Sequence, residues 1–159
     1  MATSWPIMKR RGPPVREAEV AAFEQRLGLT LPADYRRFLL EVNGGLLASE
    51  NRRFSHYIIT DLLSLADDND ASNLEARAAR AHWVLPHSDL LMIGNADGGM
   101  ILLAVRGNHR GEVWNLDTVD PRPDGSNPRV LWHDQRDMTK LADSFEEFVR
   151  MLKPLDSAD

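Results

Sequence analysis

Two glycine pairs in the sequence are candidates for a loop that cradles phosphate. A nucleotide-binding P-loop follows a strand, and its glycines lead to a lysine and then a serine or threonine. Gly44-Gly45 instead follows a helical apolar pattern and precedes two leucines, whereas Gly98-Gly99 leads into a strand pattern. Neither pair offers the lysine or the magnesium-binding hydroxyl of a phosphate site. Both are predicted to be turns, and no cofactor is predicted.

Asn43 stands directly before the first glycine pair. We predict that Asn43, Gly44 and Gly45 end a helix, with at least one glycine at positive φ, because glycine adopts left-handed backbone without steric cost. An alanine at that glycine should then destabilise the fold by about 1 kcal/mol or more.

Metal ligands are the second kind of chemistry to consider. Asp67, Asp68, Asn69 and Asp70 begin like a calcium loop, but the bidentate glutamate that such a loop needs at its twelfth position is replaced by alanine. The five histidines show no HExxH pair; they are His56, His82, His87, His109 and His133. No metal site is predicted.

Nucleophilic catalysis is also disfavoured. The chain has no cysteine, which removes thiolate chemistry, and no GxSxG nucleophile elbow. Ser88 lies between His87 and Asp89, but a catalytic triad is assembled in space and is not indicated by neighbours in sequence. The sequence therefore predicts no enzyme.

Size and charge limit the partners. The chain has 159 residues, a formal net charge of -5 and an isoelectric point near 5.5. An acidic chain lacks the lysine and arginine excess that binds a phosphate backbone, so no nucleic-acid partner is predicted, and a basic protein is a compatible one. Neither a membrane span nor the apolar core of a signal peptide is present. We expect a cytoplasmic monomer or weak homodimer.

A pair of helices is predicted near the start of the chain. Residues 16–27 carry a helical apolar stripe and are followed by Gly28, which suits the left-handed position after a helix. Pro32 is the predicted first residue of the second helix, whose stripe covers residues 35–42. Residues 1–14 are expected to form a flexible tail, and residues 154–159 another.

The remainder of the chain predicts an antiparallel sheet and two more helices. A capping box that opens at Ser72 predicts a helix to about Trp83, and Ser144 is the predicted cap of a closing helix over residues 145–152. Short apolar segments bounded by turn residues predict strands at 54–60, 90–94, 100–106, 112–116 and 129–132, with hairpin connections at 95–99 and 107–111. The fold class is therefore α+β. Residues 15–153 are expected to form a single domain, in which the helix pair and the closing helix pack on one antiparallel or mixed sheet.

A series of short motifs follows the same order as these elements. They are Leu27-Gly28, Leu31-Pro32, Asp34-Tyr35, Phe38-Leu39-Leu40, Asn43-Gly44-Gly45, Ile93-Gly94, Gly98-Gly99, Gly111-x-Val113-Trp114 and Ser144-Phe145-x-x-Phe148. This order resembles the SUKH superfamily of Smi/Knr-like proteins over about residues 15–152. The resemblance implies helices packed on one antiparallel sheet and, for bacterial members, an immunity protein that binds and neutralises a cognate toxin. Residues 46–86 match none of the motifs, so partner-specific contacts are expected to vary there.

Acidic residues are the candidate contacts if the toxin is a basic nuclease domain, because a carboxylate-rich surface can occupy a cationic active site and speed association. These candidates are Asp67, Asp68, Asp70, Asp117, Asp120, Asp124 and Asp134. The alternative is a small-ligand or peptide-binding regulatory module related to the cell wall, which a cleft formed by the sheet and its glycine turns would favour. An enzyme is the third hypothesis, which the sequence favours least.

Overall fold

The computed structural model describes residues 5–69, 72–79, 89–117 and 138–156. Their strands form one sheet in which every pairing is antiparallel. The strand order is β1-β2-β4-β5-β6-β7-β8, with β3 pairing β4. The strands are β1 Met8–Arg11, β2 Gly45–Leu47, β3 Arg53–Phe54, β4 Tyr57–Leu62, β5 Leu90–Ala96, β6 Gly99–Ala104, β7 Val113–Asp117 and β8 Met138–Ala142; the helices are α1 Glu17–Leu27, α2 Ala33–Glu41, α3 Leu74–Ala79 and α4 Phe145–Arg150. The α+β prediction is confirmed.

Helix ends follow the local signals closely. Gly28 has φ 71°, and its N–H and that of Leu29 close the last turn of α1 on the carbonyls of residues 25 and 24. The Ser144 hydroxyl accepts a hydrogen bond from the Glu147 N–H at 3.1 Å, as its capping role requires. Pro32 precedes α2 as its cap, one position earlier than predicted.

The cap of α3 differs from the predicted one. Asn73, not Ser72, caps the helix: its Oδ1 accepts a hydrogen bond from the Ala76 N–H in the first turn, at 2.9 Å. The prediction that this helix continues to Trp83 concerns residues 80–83, which lie outside the described residues. The predicted strand at 129–132 lies outside them as well.

Three parts of the sheet were not predicted. The tail prediction for residues 1–14 is wrong for Met8–Arg11, which pairs with β2 as an edge strand. The predicted strand at 54–60 is a hairpin, because Ser55 at φ 54° turns the chain between β3 and β4. Strand β8 continues the sheet beyond β7, and Leu155 in the predicted C-terminal tail donates its N–H to the Ser49 carbonyl.

The core joins the helices to this sheet through aromatic rings. Phe145 of α4 lies 4.9 Å from Phe38 and 5.0 Å from Tyr35 of α2, measured between ring centroids. Phe148 stacks on Phe54 of β3 at 5.3 Å. The four rings contributed by α2 and α4 are each at most 1% exposed, so these two helices are fixed to each other by packing. Within the described residues, no helix is long and apolar enough to cross a membrane.

Candidate functional site

The Asn-Gly-Gly segment joins α2 to β2, whose first residue is Gly45, and all three of its residues have positive φ. The φ angles are 61° at Asn43, 70° at Gly44 and 117° at Gly45. A Cβ on Gly44 would collide with the Leu63 carbonyl oxygen, and one on Gly45 would collide with the Arg10 carbonyl oxygen. The prediction that this segment ends helix two in left-handed backbone is confirmed. The neighbouring backbone leaves no room for a Cβ at either glycine, which is a structural use of glycine.

The Asn43 side chain joins three segments of the fold. It is 1% exposed, and its Nδ2 donates to the carbonyls of Pro13 at 2.6 Å and Leu65 at 2.8 Å. Its Oδ1 accepts the Leu65 N–H at 2.8 Å. The amide thus donates two hydrogen bonds and accepts a third, a combination that only the side-chain amides of asparagine and glutamine provide. The end of α2, the residues before α1 and the residues after β4 are held together at this point.

The second glycine pair forms the predicted hairpin connection between β5 and β6. Gly98 has φ 77°, and the Asp97 N–H donates to the Ile58 carbonyl of β4 at 2.7 Å. A Cβ on Gly99 would lie 2.6 Å from the Asn115 Oδ1 of β7. The absence of a side chain at Gly99 therefore leaves room for the Asn115 side chain of the adjacent strand, as glycine does within other sheets.

Two of the predicted acidic contacts lie on the loop after β4. Asp67 is half-buried and its carboxylate accepts the Asn69 N–H at 2.8 Å, while Asp68 is exposed. The Asn73 Nδ2 donates to the Asp67 carbonyl at 2.6 Å. Backbone bonds from Ser64 to residues 72 and 74 close the base of this loop. The backbone that carries these two carboxylates is therefore ordered by its own hydrogen bonds, although Asp70 lies outside the described residues.

Asp117 lies at the other end of the sheet from that loop. It ends β7 and pairs with Gly99, which in turn pairs with Ala96 at the end of β5. The loop after β4 leads toward the Leu90 end of β5, because Leu62 pairs with Gly94 and the Leu63 N–H then donates to the Ile93 carbonyl, one residue nearer to Leu90. The structure thus separates Asp117 from Asp67 and Asp68. The remaining candidates lie outside the described residues; they are Asp120, Asp124 and Asp134.

A charged group between α1 and α2 was not predicted from the sequence. The Arg36 guanidinium contacts Glu17 at 2.5 Å and Glu24 at 3.0 Å, and these carboxylates raise the pKa of Arg36. The other Glu24 oxygen accepts the Leu31 N–H at 2.8 Å. A sequence signal exists, because Glu24 falls on the apolar stripe of α1, where a carboxylate needs partners. This group links α1 to α2 and to the residues between them.

A second polar group surrounds Glu112, just before β7. Its Oε1 lies 2.8 Å from the His109 Nδ1 and accepts the Trp114 Nε1–H at 3.2 Å. Its Oε2 lies 3.3 Å from the Lys140 Nζ of β8, which also contacts Asp143 at 2.5 Å. The Asp143 and Glu112 carboxylates raise the pKa of Lys140. This group ties the β6–β7 connection to β8, and no sequence pattern links residues so far apart.

The spacing of the metal-ligating side chains bears on whether the domain could hold a metal ion. Throughout 5–69, 72–79, 89–117 and 138–156, no three or more His, Asp or Glu side chains converge as a metal site would require. The polar groups described above consist of carboxylates paired with cations, N–H donors or a histidine ring. Their geometry suits the fixing of elements to one another.

These observations define a class: an α+β domain whose glycine turns and buried polar groups shape the fold, with charged residues on its surface loops. The sequence profile of the SMI1 / KNR4 family (SUKH-1) matches residues 14–151. The match covers most of the chain, from just before α1 to just past α4, and the chain belongs to this family. The resemblance found in the sequence is confirmed. A comparison with individual curated proteins finds no significant match.

Proposed function

We propose that this protein is a non-catalytic, protein-binding immunity domain that binds a cognate bacterial toxin and neutralises it in the cytoplasm. The observation that carries the proposal is the family match over residues 14–151, which spans the helix pair, the sheet and the closing helix. The same scaffold serves as a binding domain in the family that the sequence resembles. In this proposal the surface of the domain binds the toxin, and the buried residues serve only to stabilise the fold.

The loop after β4 is the proposed contact surface. It presents Asp68 to solvent beside the half-buried Asp67, and Asp70 continues the acidic run in sequence. The loop's internal hydrogen bonds reduce the conformational entropy that would be lost on binding, so more of the contact energy remains as affinity. A cationic active site, such as that of a nuclease domain, is the complementary partner, and the acidic chain would speed its association.

A second acidic surface is proposed separately. Asp117 stands at the opposite end of the sheet, and Asp120, Asp124 and Asp134 follow it in sequence. Because the two ends of a sheet face different directions, a small toxin domain would contact one of them. Charge reversal at each end therefore distinguishes the two surfaces.

The experiment begins with the gene immediately upstream, where the proposal expects an open reading frame for a large toxin-like protein. Its C-terminal domain is expressed with and without this protein, and bacterial growth reports neutralisation. Binding of the purified domain is then measured against salt concentration, together with turnover of the toxin's substrate. Growth rescue and stoichiometric inhibition are expected; a toxin domain that neither binds nor is inhibited would refute the proposal.

The contact surface is tested with two triple variants that change net charge equally. One replaces Asp67, Asp68 and Asp70 by lysine; the control makes the same replacement at three other acidic residues, Glu41, Glu50 and Asp156, which are exposed. We expect the loop variant to lower the association rate at low salt by about tenfold to a hundredfold, and the control to lower it much less. Equal effects of the two variants would assign the change to net charge and exclude the loop.

A further inference from the structure

Asn43 and Gly44 form the one Asn-Gly sequence in the chain. Asparagine followed by glycine is the sequence most prone to deamidation, because glycine has no side chain to hinder attack by its backbone nitrogen. In that reaction the Gly44 nitrogen bonds to Cγ of Asn43 and ammonia leaves, which forms a succinimide ring. Water then opens the ring and leaves aspartate or isoaspartate at position 43.

The folded protein holds Asn43 away from this reaction. The side chain is 1% exposed and its three hydrogen bonds, to Pro13 and twice to Leu65, are 2.6–2.8 Å long. Ring closure requires Cγ to rotate toward the Gly44 nitrogen, which breaks all three bonds. Gly44 is itself packed against the Leu63 backbone at φ 70°. Water also has little access to the ring carbonyl that it would need to attack.

The reaction product does not fit the site that asparagine fills. A carboxylate at position 43 has no N–H, so the Pro13 and Leu65 carbonyls would lose their donor and face a buried negative charge. Isoaspartate would in addition lengthen the backbone by one methylene next to Gly44 and Gly45, where even a Cβ collides with neighbouring carbonyls. Either product removes the link between α2, the residues before α1 and the residues after β4.

We propose that Asn43 is a modification site that is closed in the folded protein and opens on unfolding, so that deamidation makes unfolding irreversible. Each time a molecule unfolds, Asn43 can deamidate, and a molecule that has deamidated no longer refolds. The lifetime of the active protein is set by how often the Asn43 contacts open, together with the rate of ring closure. This property belongs to the fold and is independent of the toxin-binding proposal.

The test follows one sample of the protein held in concentrated urea and a second held folded in the same buffer. Portions are diluted to refold at intervals, and the refolded and non-refolded chains are separated by size-exclusion chromatography. Trypsin releases residues 38–52, which contain both Asn43 and Asn51. Fragment mass spectra of this peptide report each amide, and Asn51 is an internal control because arginine follows it.

We expect the non-refolded fraction to carry the acid at position 43 and the refolded fraction to retain the amide. Deamidation in the folded sample should be at least roughly a hundredfold slower, since only open molecules react. Acid at position 43 in equal amounts in both fractions would overturn the proposal, as would equal rates in the folded and unfolded samples.

Two variants extend the test. Asn43→Asp imitates the product and should fail to refold or melt about 10 °C or more below the wild type, whereas Asn51→Asp should melt close to it. Asn43→Ser cannot deamidate, so its refolding yield should not depend on time in urea. A wild-type-like Asn43→Asp variant would refute the argument. The wild-type fractions decide the matter even where Asn43→Ser does not fold.

Discussion

Gly44 and Gly28 allow the cost of a steric collision to be separated from the cost of left-handed backbone. Their φ angles are 70° and 71°, so an alanine meets the same positive-φ strain at both positions. Their surroundings differ. A Cβ on Gly28 would have its nearest neighbour 4.0 Å away, at the Arg106 guanidinium, whereas one on Gly44 would collide with the Leu63 carbonyl oxygen and lie 2.6 Å from that of Leu62.

The expected free energies follow from these distances. Gly28→Ala carries the dihedral cost alone and should lower the free energy of unfolding by about 1 kcal/mol. Gly44→Ala carries the same cost and must also displace backbone at the end of β4, which adds about 2 kcal/mol for overpacking against a rigid neighbour. The total of about 3 kcal/mol corresponds to a melting temperature roughly 6–12 °C lower in a chain of this size.

Urea unfolding, followed by tryptophan fluorescence and far-ultraviolet circular dichroism, measures both values. The m-value should stay constant, so that shifts in midpoint report stability alone. The difference between the two variants isolates the collision. If the variants agreed within about 0.5 kcal/mol, Gly44 would serve only through its φ angle, and the backbone packing argued for the Asn-Gly-Gly segment would be refuted.

Three further predictions concern the polar groups of the helices. Arg36→Met removes the cation shared by Glu17 and Glu24 and should lower the free energy of unfolding by about 2 kcal/mol, since the buried Glu24 carboxylate loses a charged partner; urea unfolding measures this, and an unchanged midpoint would show that these three charges contribute no net stability. Ser144→Ala removes the α4 cap and should cost about 1 kcal/mol in the same assay, with Ser144→Asp restoring most of the loss. Tyr35→Phe should change stability at pH 7 by no more than about 1 kcal/mol, because among the described residues the buried Tyr35 hydroxyl has no hydrogen-bond partner. Burial raises the pKa of Tyr35, so the wild type should lose up to about 1.4 kcal/mol per pH unit relative to Tyr35→Phe above pH 10, where only the unfolded chain ionises; parallel pH profiles of the two proteins would contradict this.

Signals that act within one turn of chain were predictable from the sequence. Gly28 and Ser144 were assigned to their helix ends because the chemistry of a cap involves residues two to four positions away. The Asn-Gly-Gly turn was predicted for the same reason. Its further role was not visible, because the hydrogen-bond partners of Asn43 lie 22 and 30 positions away.

Edge strands were not predictable on the same basis. Strand β1 reads Met-Lys-Arg-Arg, and only Met8 has partly buried surface, so no alternation marks it as a strand. Ser55 turns the chain at φ 54° without the glycine, proline or asparagine that usually announces such a turn. The candidate contact residues could be proposed from charge, but their separation across the sheet depends on strand order, which no local pattern contains.

The basic edge strand β1 also protects the molecule from its own copies. Lys9, Arg10 and Arg11 are exposed, and a register shift interrupts the ladder at Lys9, so like charges and irregular spacing oppose stacking against an identical edge. Without residues 1–11, β2 would become the edge strand of the sheet. Its Leu47, which pairs with Met8 of β1 and is 2% exposed, would then lie at that edge. We expect a chain shortened by residues 1–11 to associate through this newly exposed edge, and size-exclusion chromatography of the two forms would detect it.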